Sequence, residues 1–401
     1  MKKLPAIALS VTLVVVLLAA GGCSSKKAAV NTTPSSSSSG QSALKSPQNS
    51  TGLPLVVPAG FAVSNFANNL TGPRVLVLDS AGNLLVSCPS AGTVVALPDK
   101  DGNGVADSEN PVVSGLNYPH GLAFQPSDPT KLYIAENNAV AVYDYNPQTM
   151  RAANRRQIID LSPGGEHVTR SIMFAPAPNT GRLLIAIGSD CNVCYETDPQ
   201  RAKILIANAD GSGLRPFASG LRNSVFQTVH PVTGQIWATE MGRDYLGDNL
   251  PPDEINIIQD NHDYGWPTFY GKNVHDTQFD TNTYTTDPSI GKTPSYIDIP
   301  AHSAPLGLAF VTSDKWPADY KYNLIVAYHG SWNRSVPTGD KLVRMHLDRQ
   351  GNFTSIEDFI TGWQQPDGSR LGRPVGVIMR ADGTAYVSDD SNGSVYRIAP
   401  L

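Results

Sequence analysis

The sequence predicts an all-β, six-bladed β-propeller, because one pair of strand-like segments recurs six times at a spacing typical of propeller blades. In each copy, a short segment of alternating small and apolar residues is followed by a turn and a second apolar segment. The copies begin at positions 73, 119, 169, 224, 305 and 374. Their spacings of 46, 50, 55, 81 and 69 residues correspond to four-stranded blades of about 40–50 residues, two of them carrying insertions. A pair of β-sandwiches or a β-helix is the alternative architecture.

Each copy supplies two predicted strands, rich in β-branched and aromatic residues. The first segments are, in order, PRVLVL, PHGLAF, TRSIMF, SVFQTV, PLGLAF and PVGVIM. The second segments are NLLVS, KLYIA, RLLIA, QIWAT, NLIVA and TAYVS. The 401 residues also include 35 glycines and 31 prolines, which leave little room for long helices.

The charge content excludes several classes of protein. Charged residues make up 16% of the chain, against about 25% in typical soluble domains, which argues against disorder and coiled coils. The net charge of -5 predicts no affinity for nucleic acid or for anionic lipid surfaces. Any anion-binding site is therefore expected to be local.

The N-terminus is typical of an export signal. Lys2 and Lys3 precede an apolar run that ends in small residues just before Cys23. This pattern resembles the bacterial lipoprotein lipobox, and the resemblance implies that Cys23 is lipidated and tethers an exported protein to the membrane, in the periplasm or at the cell surface. A cleaved secretory peptide or a single anchor helix is the alternative.

Three regions of the chain are predicted. Residues 1–23 form the signal, and residues 24–52, rich in Ser and poor in apolar side chains, form a tether. Residues 53–401 form the propeller.

Residues at the front of the first segments are expected to converge on one mouth of the central channel. Several are cationic, and like charges gathered at one axis repel unless an anion compensates them. The cluster therefore predicts an anionic ligand. The alternative for each member is that it is a single exposed residue or is paired with a carboxylate such as Asp253 or Glu254. Its members are Arg74, His120, His167, Arg170, Arg222, Asn223, His302 and Arg373.

The most informative stretch spans residues 220–267, where GLRN, EMGRD, PDEINII and YGWP follow one another. This succession, with EHVTR at 166–170 and GRPVGV at 372–377, resembles the soluble PQQ-dependent glucose/sorbosone dehydrogenases, six-bladed propellers that oxidise aldoses. The HGSWNR run at 329–334 and the CNVC run resemble the sorbosone dehydrogenase branch.

The resemblance implies a role for each matching residue. His167 corresponds to the general base, a task that suits imidazole. The pair that lies against the PQQ cofactor corresponds to Arg222 and Asn223. The resemblance also implies that Arg222 is a catalytic residue. Other implied cofactor contacts are Asp253, Arg373 and, as candidates for the family's lysine, Arg334 and Lys341. The backbone carbonyls of Gly242 and Arg243 correspond to ligands of a catalytic Ca²⁺.

The chain departs from the family pattern at three positions. Leu116 and Met241 stand where the family has glutamines. Ser189 replaces an acidic residue that can orient the base, and Asp190 is one residue further on.

Cysteine spacing predicts a disulfide. Outside the cytoplasm, Cys191 and Cys194 in CNVC are expected to pair, whereas a zinc site needs further ligands. Cys88 lies in a strand pattern and is expected to be a buried thiol.

Two loops allow two interpretations each. Residues 99–107 (DKDGNGVAD) have the oxygen spacing of a calcium loop but equally that of a plain Asp/Gly turn. The insertion between Trp266 and His302 has aromatic side chains suited to stacking on sugars, or it is a solvated structural loop. These side chains include Tyr270, His275, Tyr284 and Tyr296.

Together these patterns predict a PQQ- and calcium-dependent oxidoreductase that acts on an aldose or related sugar aldehyde. His167 would assist hydride transfer to the quinone, and electrons would leave to an external acceptor. The enzyme alternative is a metal-dependent six-bladed lactonase, which needs a cage of carboxylates and amides. The other alternative is a cofactor-free propeller that binds a partner at the cell surface.

Overall fold

A computed structural model describes residues 48–401. The predicted signal peptide with Cys23, and most of the predicted tether, lie outside the described residues. No helix among residues 48–401 has the length and apolar character needed to cross a membrane.

The described chain forms six antiparallel sheets of at least four strands each, as predicted. Blade 1 contains β2 (Leu76–Leu78), β3 (Leu84–Cys88), β4 (Thr93–Leu97) and β5 (Asn110–Ser114). Blade 2 contains β6 (Gly121–Gln125), β7 (Asp128–Glu136), β8 (Ala139–Asn146) and β9 (Arg151–Asp160). Blade 3 contains β10 (Arg170–Phe174), β11 (Arg182–Ile187), β12 (Lys203–Asn208) and β13 (Arg215–Ser219).

Blade 4 contains β14 (Gln227–Val229), β15 (Ile236–Glu240), β16 (Asp253–Ile258) and β20 (Ile297–Ile299). The insertion before β20 adds β17 (His262–Asp263), parallel to β13, and the hairpin of β18 (Phe269–Tyr270) and β19 (Val274–His275). Blade 5 contains β21 (Pro305–Phe310), β22 (Leu324–Tyr328), β23 (Lys341–Leu347) and β24 (Phe353–Ile360). Short 3₁₀ turns occupy Pro89–Ala91 and Ala318–Tyr320.

The ring closes by joining the two ends of the chain in one blade. Blade 6 consists of β25 (Pro374–Met379), β26 (Ala385–Asp389), β27 (Ser394–Pro400) and, on its outer edge, β1 (Phe61–Ala67). Residues before β1 also belong to this sheet region, because Asn49 bridges to Val63 and the Ser50 N–H donates to the Val63 carbonyl at 2.9 Å. The packed body therefore begins a few residues earlier than the predicted boundary at residue 53.

Neighbouring inner strands contact each other around the channel, which explains the glycine in several of the repeated segments. A Cβ at Gly121 would lie 2.7 Å from the Arg170 carbonyl oxygen of the next blade. A Cβ at Gly307 would lie 2.4 Å from the carbonyl oxygen of Val375. Only glycine permits this approach of one backbone to another.

The core consists of apolar layers between adjacent blades. Blades 2 and 3, for example, share a cluster that includes Val140, Leu183 and Ile185, all fully buried. Strands buried on both faces hold the six blades in a fixed register, so the residues just outside each strand end are positioned precisely at the channel mouths.

Candidate active site

A cleft of about 210 Å³ lies at one mouth of the propeller. Its walls come from residues just before inner strands and just after second strands, because both ends lie on the same side of each antiparallel blade. The cleft brings together seven of the sequence-predicted residues: His167, Arg222, Asn223, Gly242, Asp253, His302 and Arg373.

His167 has a defined tautomer. Its Nδ1 lies 2.8 Å from the main-chain carbonyl oxygen of Ser189 and 3.0 Å from the Ser189 Oγ. Because a carbonyl oxygen only accepts, Nδ1 carries the proton and Nε2 keeps its lone pair. Ser189 thus orients the base through its carbonyl, a task that the side chain of an acidic residue performs in the family pattern.

The environment of His167 keeps the ring neutral. Burial, and next the positive charge of Arg222, lower the pKa of His167 to about 3. A neutral imidazole with a free Nε2 is ready to accept a proton over the whole physiological pH range.

Arg222 is buried and holds two loops together. Its Nε donates to the Asn192 carbonyl at 2.8 Å, and its Nη1 donates to the Gly242 carbonyl at 3.0 Å. The Nη2 is 3.0 Å from the Asn192 Oδ1 and 3.3 Å from the Asp244 Oδ2. Burial lowers the pKa of this guanidinium, so an anion in the cleft would stabilise its charge.

Arg373 extends from the start of β25. Its Nε and Nη2 donate to the carbonyls of His329 and Gly330 at 2.8 and 2.9 Å. Its Nη1 makes no hydrogen bond within residues 48–401 and is available to a ligand. Burial, and next the charge of Arg370, lower the pKa of Arg373. The two arginines therefore place two cations at the cleft, and the anionic ligand stays a prediction.

The carboxylate of Asp253 joins two backbone segments. Its Oδ1 accepts from the Gly242 N–H at 2.9 Å and its Oδ2 from the Ala304 N–H at 2.8 Å. Burial raises its pKa to about 6. The carboxyl thus lies at the cleft, as predicted, and it fixes the turn that carries Gly242.

The turn formed by residues 242–244, which we call the 242–244 turn, fits an oxygen-ligated cation. It offers backbone carbonyls beside the carboxylate of Asp244, and burial raises the pKa values of Asp244 and Asp253. Carbonyl and carboxylate oxygens are ligands preferred by Ca²⁺. The side chain of Arg243 points into the insertion, where its Nε lies 2.9 Å from the Asp276 Oδ2, so only its carbonyl remains as a predicted ligand.

Two predicted cofactor contacts are not brought to the cleft. Arg334 donates to the Ala301 carbonyl at 3.1 Å and to the Asn249 Oδ1 at 3.2 Å. Lys341, the first residue of β23, pairs with Asp358 on the neighbouring β24 at 2.5 Å. Both cations bond to other groups and neither lines the cleft. Their role as cofactor contacts stays a prediction.

Three members of the predicted cationic cluster also have local partners and do not line the cleft. Arg74 pairs with Asp390, and Arg170 donates to four backbone carbonyls, including that of His167 at 2.9 Å. His120 is fully buried with Nδ1 3.1 Å from the Ser171 Oγ. Of these residues, Arg74 pairs with a carboxylate, whereas Arg170 bonds to backbone carbonyls and His120 to a hydroxyl. Arg170 supports the loop that carries His167.

The sequence did not assign roles to several residues of the cleft. His329 follows β22 and its Nε2 bonds to Asp390 at 2.8 Å. Asn333 donates to the Asp244 Oδ1 at 2.9 Å. Trp332 stands at the rim, 64% exposed, with its ring 5.5 Å from that of Tyr245. The HGSWNR run was the signal that contained all three.

The remaining motifs form local contacts. Cys191 and Cys194 form the predicted disulfide, and Cys88 is the predicted buried thiol, with its pKa raised to about 12 by burial. The Asp99 Oδ2 accepts from the Gly104 N–H at 3.0 Å, as in an Asp/Gly turn. The insertion's aromatic residues make local contacts, such as Tyr284 with Asp280 at 2.5 Å, and do not line the cleft.

Glu240 and Glu254 are two buried acids directly behind the cleft, opposite one another on β15 and β16. Burial raises the pKa of Glu240 to about 8 and that of Glu254 to about 7. An unfolded glutamic acid ionises near pH 4.3. Between these pH values the unfolded chain has lost protons that the folded protein retains, so stability falls as pH rises.

The variant Glu240→Gln tests this linkage. Glutamine keeps an acceptor for the Asn223 N–H, which lies 2.7 Å from the Glu240 Oε1, and removes the ionisation. We expect the melting temperature of the ligand-free protein to rise at pH 8 relative to the wild type, with a smaller gain at pH 5. Thermal unfolding at both pH values measures the difference. An equal change at the two pH values would contradict the raised pKa.

Comparisons with known proteins agree with this architecture. An uncharacterized protein of Borreliella burgdorferi is 31% identical over 351 residues, covering 86% of this chain and 90% of that protein. The pyrroloquinoline quinone-dependent pyranose dehydrogenase of Coprinopsis cinerea is 28% identical over 85% of this chain, which spans only 54% of that relative's length.

Solved structures extend the likeness to three dimensions. The holo form of the PQQ domain of the Coprinopsis cinerea pyranose dehydrogenase matches with a TM-score of 0.74 and 26% identity, over 87% of this chain and 97% of that one. The family model described as TrAA12-like matches residues 55–400. This chain therefore belongs to the TrAA12-like family.

Proposed function

We propose that this protein is a PQQ- and calcium-dependent dehydrogenase that oxidises an aldose or a related sugar aldehyde of the sorbosone type. The observation that carries the proposal is the pairing of a neutral, oriented His167 with two incompletely compensated arginines in one cleft. The names of the relatives support the cofactor and the sugar class.

The residues present divide the chemistry among them. Arg373 would donate to a carboxylate of PQQ through its Nη1, and the nearby charge of Arg222 would add to the attraction, because charge-assisted hydrogen bonds to carboxylates are strong. The carbonyls of the 242–244 turn would hold Ca²⁺. When bound, PQQ supplies the acceptor of a hydride and Ca²⁺ polarises the accepting carbonyl. His167 takes the proton of the reacting sugar hydroxyl on Nε2, while Ser189 holds its Nδ1–H.

The same cleft weighs against the lactonase alternative. A lactonase needs an open cage of carboxylates and amides around one ion. The carboxylates of this cleft are engaged within the protein, because Asp253 accepts from the Gly242 and Ala304 N–H groups and Asp244 contacts Arg222 and Asn333. We also propose that the protein is exported, anchored through a lipid on Cys23, and passes electrons to an external acceptor.

Reconstitution of the purified full-length protein with PQQ and Ca²⁺ tests the proposal. We expect one PQQ bound per chain, dye-linked oxidation of at least one sugar in an aldose panel that includes sorbosone, and loss of turnover on chelation that added Ca²⁺ restores. A folded, calcium-loaded protein that does not bind PQQ would overturn the proposal and leave the lactonase and binding-module alternatives.

A further inference from the structure

The four-residue loop closed by the Cys191–Cys194 disulfide, which we call the CNVC loop, reaches into the wall of the cleft. Asn192 lies between the two cysteines and contacts both Arg222 and the 242–244 turn. Four hydrogen bonds make this connection. The Asn192 Oδ1 accepts from the Arg222 Nη2 at 3.0 Å and from the Asp244 N–H at 2.7 Å. The Asn192 carbonyl accepts from the Arg222 Nε at 2.8 Å, and Nδ2 donates to the Asp244 carbonyl at 3.2 Å.

The same loop is coupled to the base. The Ser189 Oγ donates to the Cys191 carbonyl at 2.6 Å, and the Ser189 carbonyl holds the His167 Nδ1–H at 2.8 Å. The Ser189 N–H donates to the Arg222 carbonyl at 2.7 Å. One short segment of blade 3 therefore touches the base, the buried arginine and the predicted calcium turn.

We propose that Asn192 is a positioning residue, held in place by the Cys191–Cys194 disulfide, that aligns Arg222 and the 242–244 turn for binding PQQ and Ca²⁺. The proposal rests on the proposed function for the identity of these two ligands. A side-chain amide is suited to this position because its oxygen accepts from a cation and from a backbone N–H while its nitrogen donates to a carbonyl. The disulfide restricts the conformations that the intervening residues can adopt when the ligands are absent.

The first test uses the ligand-free protein. In the variant Asn192→Ala the Asp244 N–H loses its acceptor, so we expect its hydrogen exchange, followed by NMR, to accelerate about tenfold. The variant Asn192→Asp keeps an oxygen acceptor for Asp244 and Arg222 and should restore most of the protection. Val193→Ala, in the same loop, is the matched control and should exchange as the wild type does.

The second test measures ligand affinity. We expect Asn192→Ala to raise the Kd for PQQ, measured by titration in the presence of Ca²⁺, about tenfold, because a hydrogen bond to a charged group is lost. Asn192→Asp should lie between Asn192→Ala and the wild type. The double variant Cys191→Ser/Cys194→Ser should raise the Kd in the same direction by a smaller factor, about three- to tenfold, since the hydrogen bonds can still form. Thermal unfolding confirms that each variant is folded.

The outcomes separate this proposal from the proposed function. If Asn192→Ala exchanges at Asp244 and binds PQQ as Val193→Ala does, Asn192 is not a positioning residue and the inference is wrong. If the wild type binds no PQQ while Asn192→Ala accelerates exchange at Asp244, the proposed cofactor is overturned, and so is the part of this inference that names the ligands.

Discussion

The variant His167→Ala is expected to lower the kcat of sugar oxidation by about 10²–10⁴-fold, the usual contribution of a positioned general base. The reason lies in the single lone pair that His167 offers to the cleft, on Nε2, because Nδ1–H is committed to the Ser189 carbonyl at 2.8 Å. PQQ affinity should change little, since the arginines supply the charges that hold an anion. Single-turnover reduction of the PQQ-loaded protein by the sugar, compared with equilibrium PQQ binding, separates the two effects.

A matched control is available on the outer part of blade 5. His346 lies on β23, partly exposed, with its Nε2 3.1 Å from the Glu357 Oε1, and it does not line the cleft. His346→Ala should keep wild-type turnover. A His167→Ala protein with wild-type kcat would exclude His167 as the base.

The pKa of His167 gives the same hypothesis a second readout. Since burial and Arg222 lower this pKa to about 3 in the ligand-free protein, the ring stays neutral as the pH falls from 8 to 5. An exposed histidine gains its proton near pH 6.5 over the same range. NMR titration of the His167 ring should therefore show no inflection between pH 8 and 5. An inflection near 6.5 would mean that the ring is solvated.

The fold was predictable because each blade repeats the same pair of apolar strand segments separated by a turn. Alternating small and apolar residues mark strands that are buried on both faces, and glycines such as Gly121 mark the closest approach of two backbones. The closure of blade 6 by β1 was not predictable from the repeats, because β1 pairs with β27 at the opposite end of the chain. Its partner is defined only by the completed ring.

The candidate site was predictable where residues sit directly against a strand end. His167 and Arg373 precede inner strands, so the repeat itself places them at the mouth. The family's lysine has no clear counterpart in this sequence, so Arg334 and Lys341 were candidates only, and the side chain of Lys341 leaves β23 toward Asp358. The roles of Ser189 and Asn192 depend on backbone carbonyls as well as on side chains, and sequence patterns carry no direct signal for a carbonyl's direction.

The variant Arg373→Ala is expected to raise the Kd for PQQ by about 10–100-fold, the usual cost of losing a hydrogen bond to a charged group. Two of the donor nitrogens of Arg373 are anchored on the His329 and Gly330 carbonyls, so the remaining Nη1 is held in a fixed direction without further loss of side-chain entropy. The lowered pKa of Arg373, caused by burial and by Arg370, indicates a cation that gains from an arriving anion. The kcat at saturating PQQ should change far less, because His167 is untouched.

The control for Arg373 is Lys341→Ala, which removes a cation that the sequence assigned to the cofactor and the structure places against Asp358. We expect no change in the Kd for PQQ.

The Kd of Arg373→Lys should lie between those of Arg373→Ala and the wild type, because lysine keeps the charge but lacks the planar fork that contacts both carbonyls and a carboxylate. Raising the ionic strength should weaken PQQ binding by the wild type more than by Arg373→Ala. Salt screens the attraction between the Arg373 charge and the PQQ anion, and the variant lacks that attraction. If Lys341→Ala weakened binding as much as Arg373→Ala, the placement of the cofactor in the cleft would be contradicted, because Lys341 does not line the cleft.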